Sequence, residues 1–124
     1  MRTRRPLIAV VDDDQSVRES LPDLLKELGF GVCAFESAEE FLASGLIGKA
    51  RCIILDVAMP GMSGPSLHRQ LKAAGQAIPT IFITAGADPA LRRQMRQEGA
   101  VDCLFKPFGE DELMTALDAA LQER

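Results

Sequence analysis

The sequence predicts an α/β fold: a doubly wound, five-stranded parallel sheet with helices on both faces. Three observations lead there. Short apolar runs alternate strictly with stretches of helical periodicity, which implies parallel strands joined by helical crossovers. The runs show little polar alternation, as expected of strands covered on both faces. Four of them end on chemically useful residues: Val10-Val11 on Asp12-Asp13-Asp14, Ile53-Ile54-Leu55 on Asp56, Ile81-Phe82-Ile83 on Thr84, and Cys103-Leu104-Phe105 on Lys106-Pro107. Parallel strands bring these ends to one edge, where open α/β sheets bind their ligands.

The elements follow in order. Leu7 to Val11 is the first strand. Val17, Leu21, Leu24, Leu25 and Leu28 recur at helical spacing, and Gly29 closes that helix. Asp14 or Ser16 supplies its cap, and Ser16 with Glu19 also has capping-box spacing. Pro22 falls inside the helix, where it removes a backbone hydrogen bond. Val32 to Phe35 is the second strand. Ser37 to Glu40 is a capping box that opens a helix through Phe41 and Leu42, with Gly45 and Gly48 at its end. Cys52 to Leu55 is the third strand, followed by a loop at Met59 to Gly64. The third helix carries Leu67 and Leu71 and breaks at Gly75. Thr80 to Ile83 is the fourth strand. Asp88-Pro89 pairs a cap with a first-turn proline, and the helix behind it has a thin apolar stripe at Leu91 and Met95. Val101 to Phe105 is the fifth strand. The last helix starts near Glu110, with Leu113, Leu117, Ala120 and Leu121 inward.

Composition narrows the function classes. The 124 residues have room for one domain, 1–124, preceded by a basic N-terminal stretch at 1–6. A net charge of −4 does not indicate a nucleic-acid surface. Cys33, Cys52 and Cys103 are odd in number and form no Cys-x-x-Cys pair, which reads as a cytoplasmic chain with buried, reduced thiols. No signal-type core follows the basic start, and no apolar stretch reaches membrane-spanning length. Met1 reads as a natural start. Arg124 falls right after the last helix, so a stand-alone unit and one followed by an effector both stay open.

Three carboxylates, a hydroxyl and an ammonium at one sheet edge suit a divalent cation and a transferable phosphoryl group. A carboxylate in such a set can serve as a nucleophile of the aspartyl-phosphate type. Adjacent acids at Asp12 and Asp13 near a third repel one another unless a hard cation intervenes. A lone Asp, Lys or Thr at a strand end is ordinarily structural; convergence of all of them changes that reading.

Four segments resemble the receiver domain of two-component response regulators, the CheY-like superfamily, over almost the whole chain. They are Val-Asp-Asp-Asp at 11–14, Leu-Asp-x-x-Met-Pro-Gly-Met-x-Gly at 55–64, Ile-Thr-Ala at 83–85 and Lys-Pro-Phe at 106–108. Gly-Ala-Val-Asp at 99–102 looks most like the FixJ-type regulators. The resemblance implies a flavodoxin-like (βα)5 fold with strand order 2-1-3-4-5. It implies that Asp56 accepts a phosphoryl group from a sensor histidine kinase. It also implies that Mg2+ (or Mn2+) is held by Asp13 and Asp56 directly, by Asp12 through water and by the main-chain carbonyl of Ala58. Lys106 and Thr84 would stabilise the phosphoryl group, and the Lys106–Pro107 bond would be cis.

Thr84, residue 103 and Pro107 belong to the family's switch, which alters the surface of the fourth helix, fifth strand and fifth helix. Cys103 departs from the pattern, since the family usually carries Tyr or Phe there; its plain reading is a small buried filler. Phe105, on the same side of the strand, is read as an apolar contact for a homodimer formed through that surface on phosphorylation. Ala58 and Gly86 can neither position nor block a water. His68 reads as a surface histidine, and Arg92, Arg93 and Arg96 as a solvated helix face. The expected role is signalling, with catalysis limited to the domain's own phosphorylation and dephosphorylation; an effector, if one follows, would be transcriptional. No membrane contact and no direct nucleic-acid binding by this domain are expected. The competing readings are a phosphate-independent protein-binding receiver, an Mg2+-dependent phosphohydrolase and a flavin-binding protein. The chain has no room for the second's substrate cap, and the acidic triplet repels the third's phosphate.

Overall fold

The computed structural model describes residues 5–86 and 88–122. Most of the basic stretch at 1–6 thus lies outside the described residues. The elements are β1 (Leu7–Val11), α1 (Gln15–Glu27), β2 (Gly31–Phe35), α2 (Ala38–Ala43), β3 (Cys52–Asp56), α3 (Gly64–Ala73), β4 (Thr80–Thr84), α4 (Pro89–Gln97), β5 (Asp102–Phe105) and α5 (Glu110–Gln122). All strand pairs are parallel, and the sheet order is β2-β1-β3-β4-β5, the flavodoxin-like arrangement.

Side chains alternate across the strands, and both faces are covered. Ala9, Val11, Ile53, Leu55, Phe82 and Cys103 face α2, α3 and α4. Ile8, Val10, Ile54, Ile81, Ile83 and Leu104 face α1 and α5. β3 and β4 are buried along their whole length. This explains the unbroken apolar runs: neither face of a central strand meets water, so neither needs a polar residue.

Local chemistry starts the helices. Asp14 caps α1, its carboxylate accepting from the Ser16 amide (2.9 Å) and hydroxyl (2.8 Å). Ser16 is therefore the capped partner, and Glu19 accepts from the Gln15 side chain instead (2.9 Å). Ser37 caps α2 by accepting from the Glu40 amide (3.0 Å), while Glu40 accepts from the Glu36 amide (3.0 Å). Asp88 caps α4, with Pro89 in its first turn.

Several details differ from the sequence expectation. β3 and β4 each run one residue further, so Asp56 and Thr84 are the last residues of their strands. β2 begins at Gly31. β5 begins at Asp102, with Val101 ahead of it. Cys33 is only half-buried, because β2 is an edge strand; Cys52 and Cys103 are buried.

His68 is not on the surface. It is 5% exposed and packs edge-on against Phe82, ring centroids 5.6 Å apart. Burial, and then the charge of Lys72, push its pKa down and favour the neutral ring. Nor are Arg92 and Arg96 a free solvated face. Both reach Asp102 at the start of β5, at 3.2 and 2.9 Å, and the Arg92 guanidinium lies over the Phe105 ring, 5.7 Å from its centroid. Met95 is the buried residue of α4, so ion pairs supplement a thin apolar seam.

Candidate functional site

Parallel register places the polar residues. Val11 lies opposite Leu55, Asp56 opposite Ile83, and Thr84 opposite Phe105. Asp12, Asp56, Thr84 and Lys106 therefore sit at neighbouring strand ends on one edge. Ligand oxygens of Asp12, Asp13 and Asp56 lie within 4.8 Å of one another.

Asp12 is fully buried, Asp56 is 6% exposed and Asp13 is exposed. Asp12 Oδ1 accepts from the Asp14 amide (2.9 Å). Asp12 Oδ2 lies 2.9 Å from Lys106 Nζ, a close and largely buried ion pair. Lys106 Nζ stands 3.8 Å from Asp56 Oδ1. Burial works against the ammonium, but Asp12, Asp56 and Asp14 outweigh it and raise its pKa. Burial, and then the charge of Asp12, push the Asp56 carboxyl up to about 7 against the pull of Lys106. One ammonium does not neutralise three clustered carboxylates. Three ligand oxygens within 4.8 Å of one another, one on a carboxyl that resists ionising, are what a hard, oxygen-seeking cation would relieve, so the residues present fit one.

Thr84 and Lys106 complete the edge. Thr84 is 7% exposed, and its hydroxyl accepts a long bond from the Gly86 amide (3.3 Å). The Lys106 amide donates to the Thr84 carbonyl (2.8 Å), and the Lys106–Pro107 bond is cis. Ala58 is exposed and lies two residues beyond Asp56. Cys103 is fully buried beneath α4, as a small filler would be, and burial raises its thiol pKa.

The loop from Val57 to Gly64 is tightly built. The Gly64 amide donates to the Val57 carbonyl (3.1 Å), and Met59 is buried in the core. A Cβ on Gly64 would collide with the Asp56 carbonyl and crowd Phe82 at 3.2 Å. Gly61 has φ +75°, and Glu39 of α2 accepts from the neighbouring Met62 amide (3.1 Å). Glu39 was not legible as a loop anchor, because nothing local in the sequence links it to a residue 23 positions away. Arg18 was also missed; it donates from Nη1 to the Asp12 carbonyl (2.9 Å).

One cleft adjoins this arrangement and another lies away from it. One of about 510 Å³ opens between α1 and the segment after β5, lined by Val17, Leu21, Leu24, Lys106 and Phe108. Another, of about 490 Å³, lies at the opposite sheet edge beside His68 and Pro79 and contains none of the clustered acids. Among the described residues no helix is long and apolar enough to cross a membrane.

A doubly wound sheet with an acidic cluster and a lysine at its carboxyl edge defines an α/β domain whose clustered acids could hold a metal ion. The response regulator receiver domain family matches residues 8–118, and the chain belongs to that family. It is 43% identical over 122 residues to the response regulator protein TodT of Pseudomonas putida, covering 98% of this chain and 54% of that protein. It is 38% identical over 122 residues to the transcriptional regulatory protein FixJ of Bradyrhizobium diazoefficiens, covering 98% and 59%. The structure of the response regulator StyR superposes with a TM-score of 0.87 at 43% identity, covering 95% of this chain and 60% of that one. The chain thus spans little more than half the length of these curated relatives.

Proposed function

We propose that this receiver domain is a phosphorylation-activated switch with Asp56 as the phosphoacceptor. One observation carries the reading: the Asp56 carboxylate ends β3 among two other acids, 3.8 Å from the Lys106 ammonium. The donor is a phosphohistidine on a sensor histidine kinase, the usual partner of this family. An Asp56 oxygen attacks phosphorus, an O–P bond forms, the P–N bond breaks, and the imidazole leaves with its electron pair and takes a proton. Hydrolysis later returns the phosphoryl group to water.

Lys106 pairs its charge with the phosphoryl oxygens. Thr84 releases the Gly86 amide and donates its hydroxyl to another oxygen. Asp13 and Asp56 would hold Mg2+ (or Mn2+) directly and Asp12 through water, with the Ala58 carbonyl completing the protein's share. When bound, the ion offsets the negative charge that builds on the transferring group. The cleft beside Lys106 gives a donor protein an apolar surface next to the acceptor.

The output is a changed α4-β5-α5 surface, which supports homodimerisation and, with an effector attached, transcriptional control; FixJ carries that regulatory name. Phe105 offers the apolar contact once Arg92 is displaced. Equal dimerisation constants for phosphorylated wild type and Phe105→Ala would remove it from the interface.

The central test is intact mass after incubation with acetyl phosphate and Mg2+. A single phosphoryl adduct is expected on wild type and is absent from Asp56→Asn and from wild type incubated with EDTA present. No adduct on wild type with Mg2+ bound would favour the phosphate-independent binding module.

A further inference from the structure

We propose that Arg18 is a positioning residue for the cation site: its guanidinium holds the peptide joining Asp12 to Asp13, so that Asp13 is presented to the ion. The proposal rests on the cation reading above. Asp12 is held on three sides. Its amide donates to the Phe35 carbonyl (3.0 Å), its Oδ1 accepts from the Asp14 amide (2.9 Å), and its carbonyl accepts from Arg18 Nη1 (2.9 Å). The last of these fixes the peptide plane that leads directly into Asp13. Asp13 is itself exposed, so its placement depends on the backbone that carries it.

Arg18 is well placed for this work. It lies in the first turns of α1, with its side chain 22% exposed, and its Nη2 stands 3.8 Å from Glu36 Oε2 just beyond β2. The guanidinium therefore ties α1 to the ends of β1 and β2. A rigid, always-charged fork suits such a two-sided hold better than a flexible ammonium.

Charge alone predicts the opposite of positioning. A guanidinium near three carboxylates opposes a divalent cation by Coulomb repulsion, so removing it should tighten cation binding. Loss of a positioning bond should weaken it. The sign of the effect separates the two accounts.

The experiment is calorimetric titration of the full chain with Mg2+, for wild type, Arg18→Met, Arg18→Lys and Asp13→Asn, with thermal melts of each. Arg18→Met is expected to weaken Mg2+ binding about three- to tenfold, the effect of losing one charge-assisted bond. Arg18→Lys, which keeps a donor and the charge, recovers part of the loss. Asp13→Asn loses binding. With acetyl phosphate, the Mg2+ concentration for half-maximal phosphorylation rises in Arg18→Met, while the rate at saturating Mg2+ stays within about twofold. Mg2+ binding by Arg18→Met that equals or exceeds that of wild type overturns the proposal and leaves the cation reading standing. If Arg18→Met melts far below wild type, Arg18→Gln replaces it with the same two outcomes. Wild type that takes no Mg2+, indistinguishable from Asp13→Asn, sinks the cation reading and this proposal with it.

Discussion

Asp56 combines a burial cost with repulsion from Asp12, and its carboxyl titrates at about 7 instead of 3.8. A carboxyl raised in the fold stabilises it below the unfolded value, and that contribution is lost as pH rises through the folded value. Metal-free wild type is therefore expected to lose stability relative to Asp56→Asn between about pH 4 and pH 8. His68 works in the opposite direction, since its lowered pKa costs stability as pH falls below 6.5. The paired comparison cancels it, and thermal melts across pH read the difference at roughly 4 °C per kcal/mol for a domain this size. A flat difference would remove the frustrated-carboxylate account. Gly64 is the other single-residue constraint: Gly64→Ala drives a methyl into the Asp56 carbonyl, and a cost of about 1–3 kcal/mol is expected in a denaturant melt.

At the scale of elements, α4 is the helix least committed to the core. Met95 is its buried residue, and Asp102 gathers Arg92, Arg96 and the Cys103 amide at 3.2, 2.9 and 2.7 Å. Burial raises the Asp102 pKa, but these donors outweigh it and the net shift is downward. Asp102→Asn should cost about 1–3 kcal/mol, the range for bonds to a charged group. Amide exchange should quicken in α4 and leave β3 unchanged. Uniform quickening across the sheet would mean that Asp102 supports the whole fold and not this helix. The same cluster explains why the arginines read wrongly. Sequence spacing placed them correctly on one face of α4, but the acid that answers them belongs to the next strand, brought close only by the crossover.

At the scale of the molecule, the sheet makes the site, and the clustered charge there costs the fold stability. Binding of a cation to the folded state alone stabilises it by mass action, about 1.4 kcal/mol at ten times the dissociation constant. Mg2+ should therefore raise the melting temperature of wild type at pH 8, EDTA should reverse the rise, and Asp13→Asn should abolish it. A rise of equal size in Asp13→Asn would place the ion elsewhere.

The class of fold, the strand bounds to within one residue and the set of polar residues gathered at one sheet edge were legible in the linear pattern. Apolar runs with no polar face require a sheet covered on both sides, and parallel strands necessarily bring Asp12, Asp56, Thr84 and Lys106 to one edge. The capping residues at Ser37 and Asp88 were legible for a similar reason: a cap acts within one helical turn. Other features depend on distances between residues far apart in the chain, and only the tertiary structure decided them. It put Asp12 rather than Asp13 in the buried pair with Lys106, set Arg18 on the Asp12 carbonyl and Glu39 on the Met62 amide, and buried His68 against Phe82. Periodicity tells which side of a helix faces inward, but not which side chain waits there to receive it.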